Sequence, residues 1–426
     1  MTKPSHWSAV KTSTRSYLNR SHSSLAANWS TFKLRISPQF NSDELLDFPQ
    51  LVESRGFHLQ EHTVQTEDGY ILTVHRVVPD DFTDSATYCQ TRKPIIVQHG
   101  LVSSSSNFFI TSKELTSGES KYGDNFGFSL LLTGRYDVWV PNLRGNGVSM
   151  KHTTYSTWNP KFWKFSFQQM AQFDMPAVID YIKEETGCQQ MGYVGHSQGC
   201  AVMFALLCDR PEYGALIRPF ISWAPAVFLQ NMRSSMTVMS RALPLFHRLG
   251  GQFAPTHHIA NWIGGTACRT KRTKVLVTKE LEKINGPTDQ MNPDRLPVYF
   301  HFWPMPSSMW QLVHFGQLYQ TGKFVKFDYG SASLNRLHYD GAETPPEYDF
   351  DRIPDDMHII IMNGNSDYLV TPENVEHLVD LLKPKLKNLQ HIKVDAEQFN
   401  HNDFLFGKDA GVLVYDKTIE LLDKLV

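Results

Sequence analysis

Cysteine is scarce in this sequence: it accounts for five of the 426 residues, and no two cysteines form a CxxC pair. Without closely spaced thiols the chain lacks the ligand spacing of a zinc ribbon. An odd, scattered set of cysteines gives no sign of a disulfide framework, which favours a reducing compartment. We expect most of these thiols to be buried and structural: Cys89, Cys188, Cys200, Cys208 and Cys268.

Long apolar runs and an excess of charge are also absent. No stretch of about 18 or more apolar residues occurs, so no segment is expected to cross a bilayer as a helix. Lysine and arginine number 41 against 43 acidic residues, so no overall field attracts nucleic acid or an anionic membrane. No HExxH motif or carboxylate-rich ligand set occurs. We therefore predict that the protein binds no metal and no nucleic acid. Any ligand is expected to be recognised at a defined site.

Acidic residues are missing from the first 42 positions, which carry six basic residues and many serines and threonines. Residues 1–42 also lack the apolar core of a secretory signal peptide, and we predict a basic, serine-rich, disordered extension. The same composition fits a mitochondrial transit peptide, which stays open as an alternative. The N-x-S/T sequons, at Asn19 and Asn28, fall only within this segment, a pattern that favours an intracellular protein.

From residue 43 onward, short apolar runs alternate with amphipathic segments. Candidate strands are Tyr70–Val78, Ile95–Val97, Tyr136–Val140 and Met191–Val194, and apolar residues at helical spacing fill Phe165–Ile182. This alternation predicts an α/β protein with a mostly parallel sheet and helices on both faces.

The alternation stops near Pro225 and resumes with a buried-strand pattern at His358–Met362. A helix that Thr371 can cap, a last strand at Gln390–Val394 and a closing helix at Val412–Leu425 follow. The stretch between is rich in Met, Trp, Phe and Pro and is too long for a loop, so we predict an inserted cap. The predicted division is a core in two parts, 43–225 and 346–426, around a cap at 226–345.

Gly195-His196-Ser197-Gln198-Gly199 is a G-x-S-x-G pattern, which alone occurs by chance in many proteins. Here it directly follows the strand candidate Met191–Val194 and precedes an apolar helix start at Cys200. That is the context of a nucleophile elbow, in which glycines allow a tight strand-to-helix turn and the serine hydroxyl is exposed. We therefore predict Ser197 as a nucleophile rather than an ordinary serine in a glycine-rich turn.

A serine hydroxyl needs a base to take its proton and an acid to orient that base. In a chain with a nucleophile elbow, the acid follows the serine and the base follows the acid. Asp367 comes directly after the strand at His358–Met362 and is the predicted acid. Asp355 and Asp356 precede that strand, which would put them at its wrong end.

The base is expected after the last strand, and His401 stands there. His391 lies within the strand pattern, where we expect a structural histidine. One histidine among 18 means little by itself, but one at the required position and in the required order is specific. The predicted triad is Ser197, Asp367 and His401.

Two backbone N–H groups are needed to stabilise the oxyanion of an acyl-transfer intermediate. One belongs to the residue after the nucleophile, Gln198, and the other to the loop after the third strand. That loop begins His99-Gly100-Leu101, which makes the N–H of Leu101 the expected second donor. A plain strand-ending turn explains the His99–Leu101 stretch equally well when it is taken alone.

Seven motifs occur in a fixed order between about Asp43 and the C-terminus: Glu67–Leu72, Gln98–Leu101, Asn142–Asn146, Phe162–Phe167, Gly195–Gly199, Gly322–Phe324 and His401–Phe404. In this combination they resemble the acid lipase family, the gastric and lysosomal acid lipases and their steryl ester hydrolase relatives. The resemblance implies an α/β-hydrolase core with a helical cap, and hydrolysis of triacylglycerols or steryl esters without a cofactor. By position it supports Ser197 as nucleophile, Asp367 as acid, His401 as base, and Leu101 and Gln198 as oxyanion donors.

The chain departs from this family in places. Members of the secreted and lysosomal branch have a signal peptide and a disulfide in the cap, whereas Cys268 stands alone in this cap. Gln169 and Phe315 replace an acidic residue and a tryptophan that are usual in the family. These differences bear on location and pH optimum and leave the triad positions unchanged.

The cap carries two groups of apolar residues that suit a lipid substrate. Phe228–Met239 places methionines at roughly helical spacing, and Phe300–Trp310 is rich in aromatic residues. Such stripes often serve only as core, yet flexible Met and flat aromatic side chains above an elbow fit a long acyl or sterol chain. The predicted lining residues are Met232, Met236, Phe302, Trp303 and Met309.

The leading hypothesis is a carboxylic ester hydrolase that acts on neutral lipid esters at a lipid–water interface. An acyltransferase or a short-chain esterase would use the same triad, whereas a non-catalytic lipid carrier has no need of all three residues. We expect an intracellular protein, peripheral at a lipid droplet or a membrane surface. Mitochondrial import and a secreted or lysosomal location are the alternatives.

Overall fold

A mixed β-sheet forms the centre of the molecule. The computed structural model describes residues 41–82, 85–254 and 257–425. The central sheet has the strand order β1-β2-β4-β3-β6-β7-β10-β11, with β5 paired to β2, and β8 pairs with β9 separately. The strands are β1 (Phe57–Gln65), β2 (Tyr70–Pro79), β3 (Lys93–Gln98), β4 (Tyr136–Asn142), β5 (Lys151–His152), β6 (Met191–His196), β7 (Ile217–Trp223), β8 (Gln252–Phe253), β9 (Ser307–Ser308), β10 (His358–Asn363) and β11 (Asn388–Lys393).

The pairing divides the sheet into an antiparallel edge and a parallel body. Strand β2 runs antiparallel to both β1 and β4, and every pair from β4 across to β11 is parallel. The carboxyl ends of β3, β6, β10 and β11 therefore meet at one edge of the sheet, where ligands of α/β proteins bind.

Helices connect the parallel strands and cover the sheet. The α-helices are α1 (Phe48–Glu53), α2 (Ser85–Thr91), α3 (Phe126–Leu132), α4 (Phe167–Gln169), α5 (Met175–Thr186), α6 (Gln198–Asp209), α7 (Leu243–Leu249), α8 (His257–Ala267), α9 (Lys271–Asn285), α10 (Leu296–Phe302), α11 (Met309–Thr321), α12 (Ala332–His338), α13 (Pro372–Leu382), α14 (Asp403–Phe406) and α15 (Asp416–Leu425). The 3₁₀ helices are Ser42–Leu45, Ser105–Phe108, Pro160–Trp163, Pro211–Ala215, Ser235–Ala242 and Phe350–Arg352, and Met170–Asp174 and Gly411–Tyr415 are π-helical.

Alternating side chains of the central strands enter two separate apolar cores. In β3, Ile96 belongs to one core, and its neighbours Ile95 and Val97 belong to the other. In β10, Ile359 and Ile360 divide in the same way. Because successive side chains of a strand point to opposite faces, both faces of the sheet are covered. This arrangement confirms the predicted α/β class.

Between β7 and β10 the chain forms the helices α7 to α12 and the small β8–β9 pair instead of further strands of the main sheet. The predicted cap at 226–345 falls within this segment, and its exact limits stay a prediction. Residues 1–40 of the predicted extension lie outside the described residues. Among the residues described, no helix combines the length and apolarity that crossing a membrane requires.

Two predicted helices are interrupted by π-helical turns. The expected helix at Phe165–Ile182 consists of α4, a π-helical turn and α5. Pro176 lies in the first turn of α5, and since proline has no N–H it cannot continue a regular hydrogen-bond pattern from the preceding turn. The expected closing helix at Val412–Leu425 likewise begins as the π-helical turn Gly411–Tyr415 and continues as α15.

Candidate active site

Ser197 lies in the tight turn between β6 and α6. Its backbone has φ 55° and ψ −114°, a strained conformation for a residue with a side chain. The flanking glycines permit this turn, because a Cβ atom at Gly199 would lie 2.7 Å from the carbonyl oxygen of Gln98. At Gly195 a Cβ atom would lie 2.9 Å from the ring of Tyr193. The sequence G-x-S-x-G therefore has the geometry that a nucleophile elbow requires.

The structure brings Ser197, His401 and Asp367 into one hydrogen-bonded line. His401 Nε2 lies 2.8 Å from Ser197 Oγ, and His401 Nδ1 lies 2.7 Å from Asp367 Oδ2. A carboxylate only accepts hydrogen bonds, so Nδ1 carries the proton and Nε2 is free to accept one from the serine. All three side chains are buried. This arrangement can transfer the serine proton to the imidazole.

The alternative acid and base residues lie elsewhere. Asp355 is exposed and forms an ion pair with Lys387 at 2.7 Å, at the opposite end of β10 from Asp367. His391 lies in β11 and its Nε2 is 2.8 Å from Asn363 Oδ1, which is the contact of a structural histidine. The pKa of His391 is lowered, mainly because the ring is buried.

A second buried carboxylate supports the loop that carries His401. Asp403 Oδ2 accepts hydrogen bonds from the backbone N–H of Asn400 and from the hydroxyl of Thr288, both at 2.7 Å. Burial, together with the nearby carboxylates of Asp289 and Asp367, raises the pKa of Asp403 to about 7. Asp403 therefore links the His401 loop to the segment that follows α9. Asp403 was not predicted as a site residue, although it lies two residues after the predicted base.

The loop after β3 is held by His99. Its Nδ1 lies 2.8 Å from the carbonyl oxygen of Gly100, and its Nε2 accepts the backbone N–H of Leu143 at 3.2 Å. Burial lowers the pKa of His99 to about 4, so the ring is neutral, as an accepting Nε2 requires. Within the described residues, the N–H of Leu101 has no hydrogen-bond acceptor. The first N–H groups of a helix have no acceptor within it, and Gln198 is the first residue of α6.

A mostly apolar cavity lies above Ser197 and His401. Of the predicted lining residues, Met232, Met236 and Trp303 lie on its wall. Residues of the wall that were not predicted are mostly apolar or aromatic: Met239, Leu243, Phe246, Phe253, Leu312, Phe315 and Tyr319.

Phe302 and Met309 are not among the residues that line the cavity, which corrects their predicted positions. Phe302 ends α10 and is buried in the apolar core on one side of the sheet. Met309 begins α11 and is only partly buried. Trp303, directly after α10, lies on the wall, and α11 meets the cavity further along the helix, through Leu312, Phe315, Gly316 and Tyr319.

Comparison with known proteins identifies relatives over most of the chain. Residues 48–112 match the family model described as a partial alpha/beta-hydrolase lipase region, and residues 93–246 match the alpha/beta hydrolase fold. Gastric triacylglycerol lipase from Rattus norvegicus is 33% identical over 388 residues, covering 90% of this chain and 93% of the relative. The Homo sapiens gastric triacylglycerol lipase is 32% identical, covering 89% and 91%. Lipase member K from Homo sapiens is 30% identical, covering 90% and 92%.

Proposed function

This chain belongs to the α/β-hydrolase lipases, and from that premise we propose that it cleaves neutral lipid esters through Ser197, His401 and Asp367. Its family membership makes it a carboxylic ester hydrolase. The proposal rests on two short hydrogen bonds that join Asp367 through His401 to Ser197. Ser197 and His401 border an apolar cavity.

In the proposed reaction, Ser197 Oγ attacks the ester carbonyl carbon while His401 Nε2 takes the hydroxyl proton. The N–H groups of Leu101 and Gln198 stabilise the negative charge on the carbonyl oxygen. His401 then gives its proton to the leaving alcohol, and an acyl-enzyme on Ser197 results. A water molecule, deprotonated by His401, releases the fatty acid and restores the serine. Asp367 stays ionised and stabilises the imidazolium formed in both steps.

The lining of the cavity supports a substrate with a long hydrocarbon chain. Flexible methionines and flat aromatic rings can adapt to an acyl or sterol chain, and burial of each CH₂ group contributes about 0.8 kcal/mol. The relatives named gastric triacylglycerol lipase support triacylglycerol as the ester. A steryl ester is the second candidate, because the wall combines aromatic residues with Met232, Met236 and Met239.

An exposed apolar surface of the helices after α7 supports contact with a lipid surface. We call it the cap patch, and it consists of Ile259, Trp262 and Ile263 on α8 and Val275 and Leu276 on α9, which are between half and 69% exposed. The α8 residues follow an i, i+3, i+4 spacing and therefore share one face of the helix. On another face of α8, Gly264 packs against the ring of Phe300. Exposed apolar surfaces mark protein–protein or membrane contacts, and for an enzyme acting on lipid esters we infer the second.

Basic side chains, together with the exposed Glu280 that pairs with Lys283, flank the α9 part of the cap patch. Lys271, Arg272 and Lys279 are exposed, and each lacks a carboxylate partner among the residues described. Arg272 and Lys279 lie four residues from Leu276 and Val275, on the same side of the helix. Anionic headgroups attract such residues by up to about 1 kcal/mol for each charge held near the surface. We infer that the protein works as a peripheral enzyme at a lipid–water interface.

Location stays a prediction, and two features of this chain bear on it. The five cysteines are free thiols, which favours the expected intracellular location. The relatives named gastric lipases favour the secreted alternative. Fractionation of cells that express a C-terminally tagged copy separates the two, because tagged protein in the medium or in lysosomes would contradict an intracellular site.

A hydrolysis panel on the purified protein tests the proposed function. It compares emulsions of trioleoylglycerol and of cholesteryl oleate with soluble p-nitrophenyl butyrate, and measures released fatty acid or nitrophenol. Release of oleate from either emulsion is the expected result. Hydrolysis of the butyrate alone would identify a short-chain esterase, and no hydrolysis would favour a lipid carrier. Addition of a free alcohol detects an acyltransferase, which would form a new ester instead of free acid.

A further inference from the structure

The segment that follows α9 lies against both loops that carry the acid and the base of the proposed triad. We call residues 285–290 the post-α9 segment, and it falls within the predicted cap. Asp367 lies in the loop after β10, residues 364–371, which we call the acid loop. His401 lies in the loop after β11, residues 394–402, which we call the base loop. The post-α9 segment binds both loops and can therefore fix one relative to the other.

In the acid loop, the post-α9 segment binds the residues on either side of Asp367. The hydroxyl of Ser366 donates to the carbonyl oxygen of Pro287 at 2.7 Å. The backbone N–H of Tyr368 donates to the carbonyl oxygen of Asn285 at 3.0 Å. The backbone around the acid is thus held from outside its own loop.

In the base loop, the post-α9 segment binds the residue that directly precedes His401. The side-chain amide of Asn400 donates to the carbonyl oxygen of Gly286 at 2.8 Å. The hydroxyl of Thr288 donates to Oδ2 of Asp403 at 2.7 Å, and the same oxygen accepts the backbone N–H of Asn400. Thr288 therefore reaches the base through two successive hydrogen bonds.

Gly286 brings the post-α9 segment into direct contact with the acid loop. A Cβ atom at this position would lie 1.8 Å from the carbonyl oxygen of Ser366. The φ of Gly286 is 106°, in the left-handed region that favours glycine. The two loops also bind each other, through the N–H of Ser366 and the carbonyl oxygen of Phe399 at 3.2 Å. The three segments therefore form one hydrogen-bonded unit around the acid and the base.

We propose that the post-α9 segment positions the triad, and that Thr288 and Gly286 are positioning residues that act through their neighbours on His401 and Asp367. Proton transfer depends on the distances within the triad, and a misplacement of about 1 Å can lower the rate about a hundredfold. Contacts that orient catalytic groups commonly come from residues that do not touch the substrate. This inference rests on the proposed ester hydrolysis and deepens it, because part of the predicted cap then completes the triad besides covering it.

The Thr288→Val variant tests the link to the base loop. Valine removes the hydroxyl and keeps a branched side chain. We expect kcat on p-nitrophenyl butyrate to fall about tenfold or more. KM should stay unchanged, since Thr288 is not among the described residues that line the cavity. Thr288→Ser keeps the hydroxyl and should restore most of the wild-type kcat. If the wild-type protein hydrolysed no ester, the proposed function would fail, and the positioning role with it.

Thr66→Val is the matched control for Thr288→Val. The Thr66 hydroxyl donates to Asp68 Oδ1 at 2.7 Å and accepts the backbone N–H of Tyr70 at 2.9 Å. Thr288 likewise accepts the backbone N–H of Gln290, at 2.8 Å. Thr66 lies in the turn between β1 and β2, so its variant should lose stability but keep the wild-type kcat. Wild-type kcat in Thr288→Val, or an equal fall of kcat in both valine variants, would overturn the positioning role.

The Gly286→Ala variant tests the contact with the acid loop. Gly341→Ala is its control, because Gly341 also lies in the predicted cap with a positive φ of 88°, and no described atom lies within 4 Å of a Cβ atom there. Both variants strain the backbone, but only Gly286→Ala displaces the acid loop. We expect kcat on p-nitrophenyl butyrate to fall about a hundredfold in Gly286→Ala and to stay at the wild-type value in Gly341→Ala. The Thr288 variants decide if Gly286→Ala does not fold, and an equal kcat of the two alanine variants would contradict the role of Gly286.

Discussion

Asp367 is fixed through both oxygens of its carboxylate. Oδ1 accepts the backbone N–H groups of Leu369 and Val370, each at 2.8 Å, and Oδ2 lies 2.7 Å from His401 Nδ1. A carboxylate held in this way sets both the orientation and the tautomer of the imidazole. The proposed proton transfer from Ser197 depends on that tautomer, since only an unprotonated Nε2 can accept.

Replacing Asp367 by Asn therefore tests the acid of the triad. The amide can still accept the two backbone N–H groups, but its NH₂ group would donate to Nδ1 and force the proton of His401 onto Nε2. We expect kcat to fall by about 10⁴ with little change in stability. Steady-state hydrolysis of p-nitrophenyl butyrate measures this. Asp355→Asn, an exposed residue before the same strand, is the matched control and should retain full activity.

Positions that depend on chain order were predictable from the sequence, whereas positions that depend on helix orientation were not. The G-x-S-x-G motif and the order of acid and base led to Ser197, Asp367 and His401, which the structure brings together. An aromatic-rich segment does not reveal which of its residues border a cavity, and Phe302 and Met309 lie off the wall although Trp303 and Leu312 lie on it.

At the level of elements, the strands with unbroken apolar runs were predictable. β3, β6 and β10 were all found near their expected limits. β7 was missed, because Pro219 argues against a central strand, yet β7 lies between β6 and β10 in the sheet. The π-helical turns before α5 and α15 were also missed. The spacing of apolar residues along a helix does not reveal that one turn contains an extra residue.

Asp403, the first residue of α14, is expected to make the stability of the protein depend on pH. Its pKa is about 7 in the folded protein against 3.8 for an ordinary aspartate. Between these values only the folded state keeps the proton, so the free energy of unfolding falls as the pH rises from about 4 to 7 and then levels off.

Asp403→Asn should make the plot of unfolding free energy against pH flatter than in the wild-type protein over this range. Urea unfolding at a series of pH values from about 4 to 8 provides the comparison. The exposed Asp355→Asn variant serves again as the control and should follow the wild-type curve. A curve for Asp403→Asn that falls as steeply as wild type would show that other groups cause the pH dependence.

For the molecule as a whole, we expect loss of the cap patch to slow hydrolysis of interfacial substrates but not of soluble ones. Replacing Trp262 and Ile263 by Ser removes exposed apolar surface that lies on neither the triad nor the cavity wall. We expect hydrolysis of a trioleoylglycerol emulsion to fall at least about tenfold, because less apolar area enters the lipid surface. Hydrolysis of p-nitrophenyl butyrate should not change.

The matched control for the cap patch is Leu337→Ser on α12, another exposed apolar residue at 79% exposure. It should leave emulsion hydrolysis at the wild-type rate. Vesicle flotation adds a second measurement, in which binding to anionic vesicles should exceed binding to zwitterionic ones and should weaken with salt. Equal emulsion activity of the Trp262 and Ile263 variant and the wild-type protein would refute the role of the cap patch.

The central claim is that Ser197 is the nucleophile of an ester hydrolase, and the most direct test is the turnover of Ser197→Ala protein on trioleoylglycerol and p-nitrophenyl butyrate. Serine lies in a strained turn where alanine also fits, so we expect an unchanged fold by circular dichroism. Turnover should fall at least about a thousandfold on both esters, because the triad acts as a unit. Retention of more than about one per cent of wild-type turnover on both esters would contradict the account.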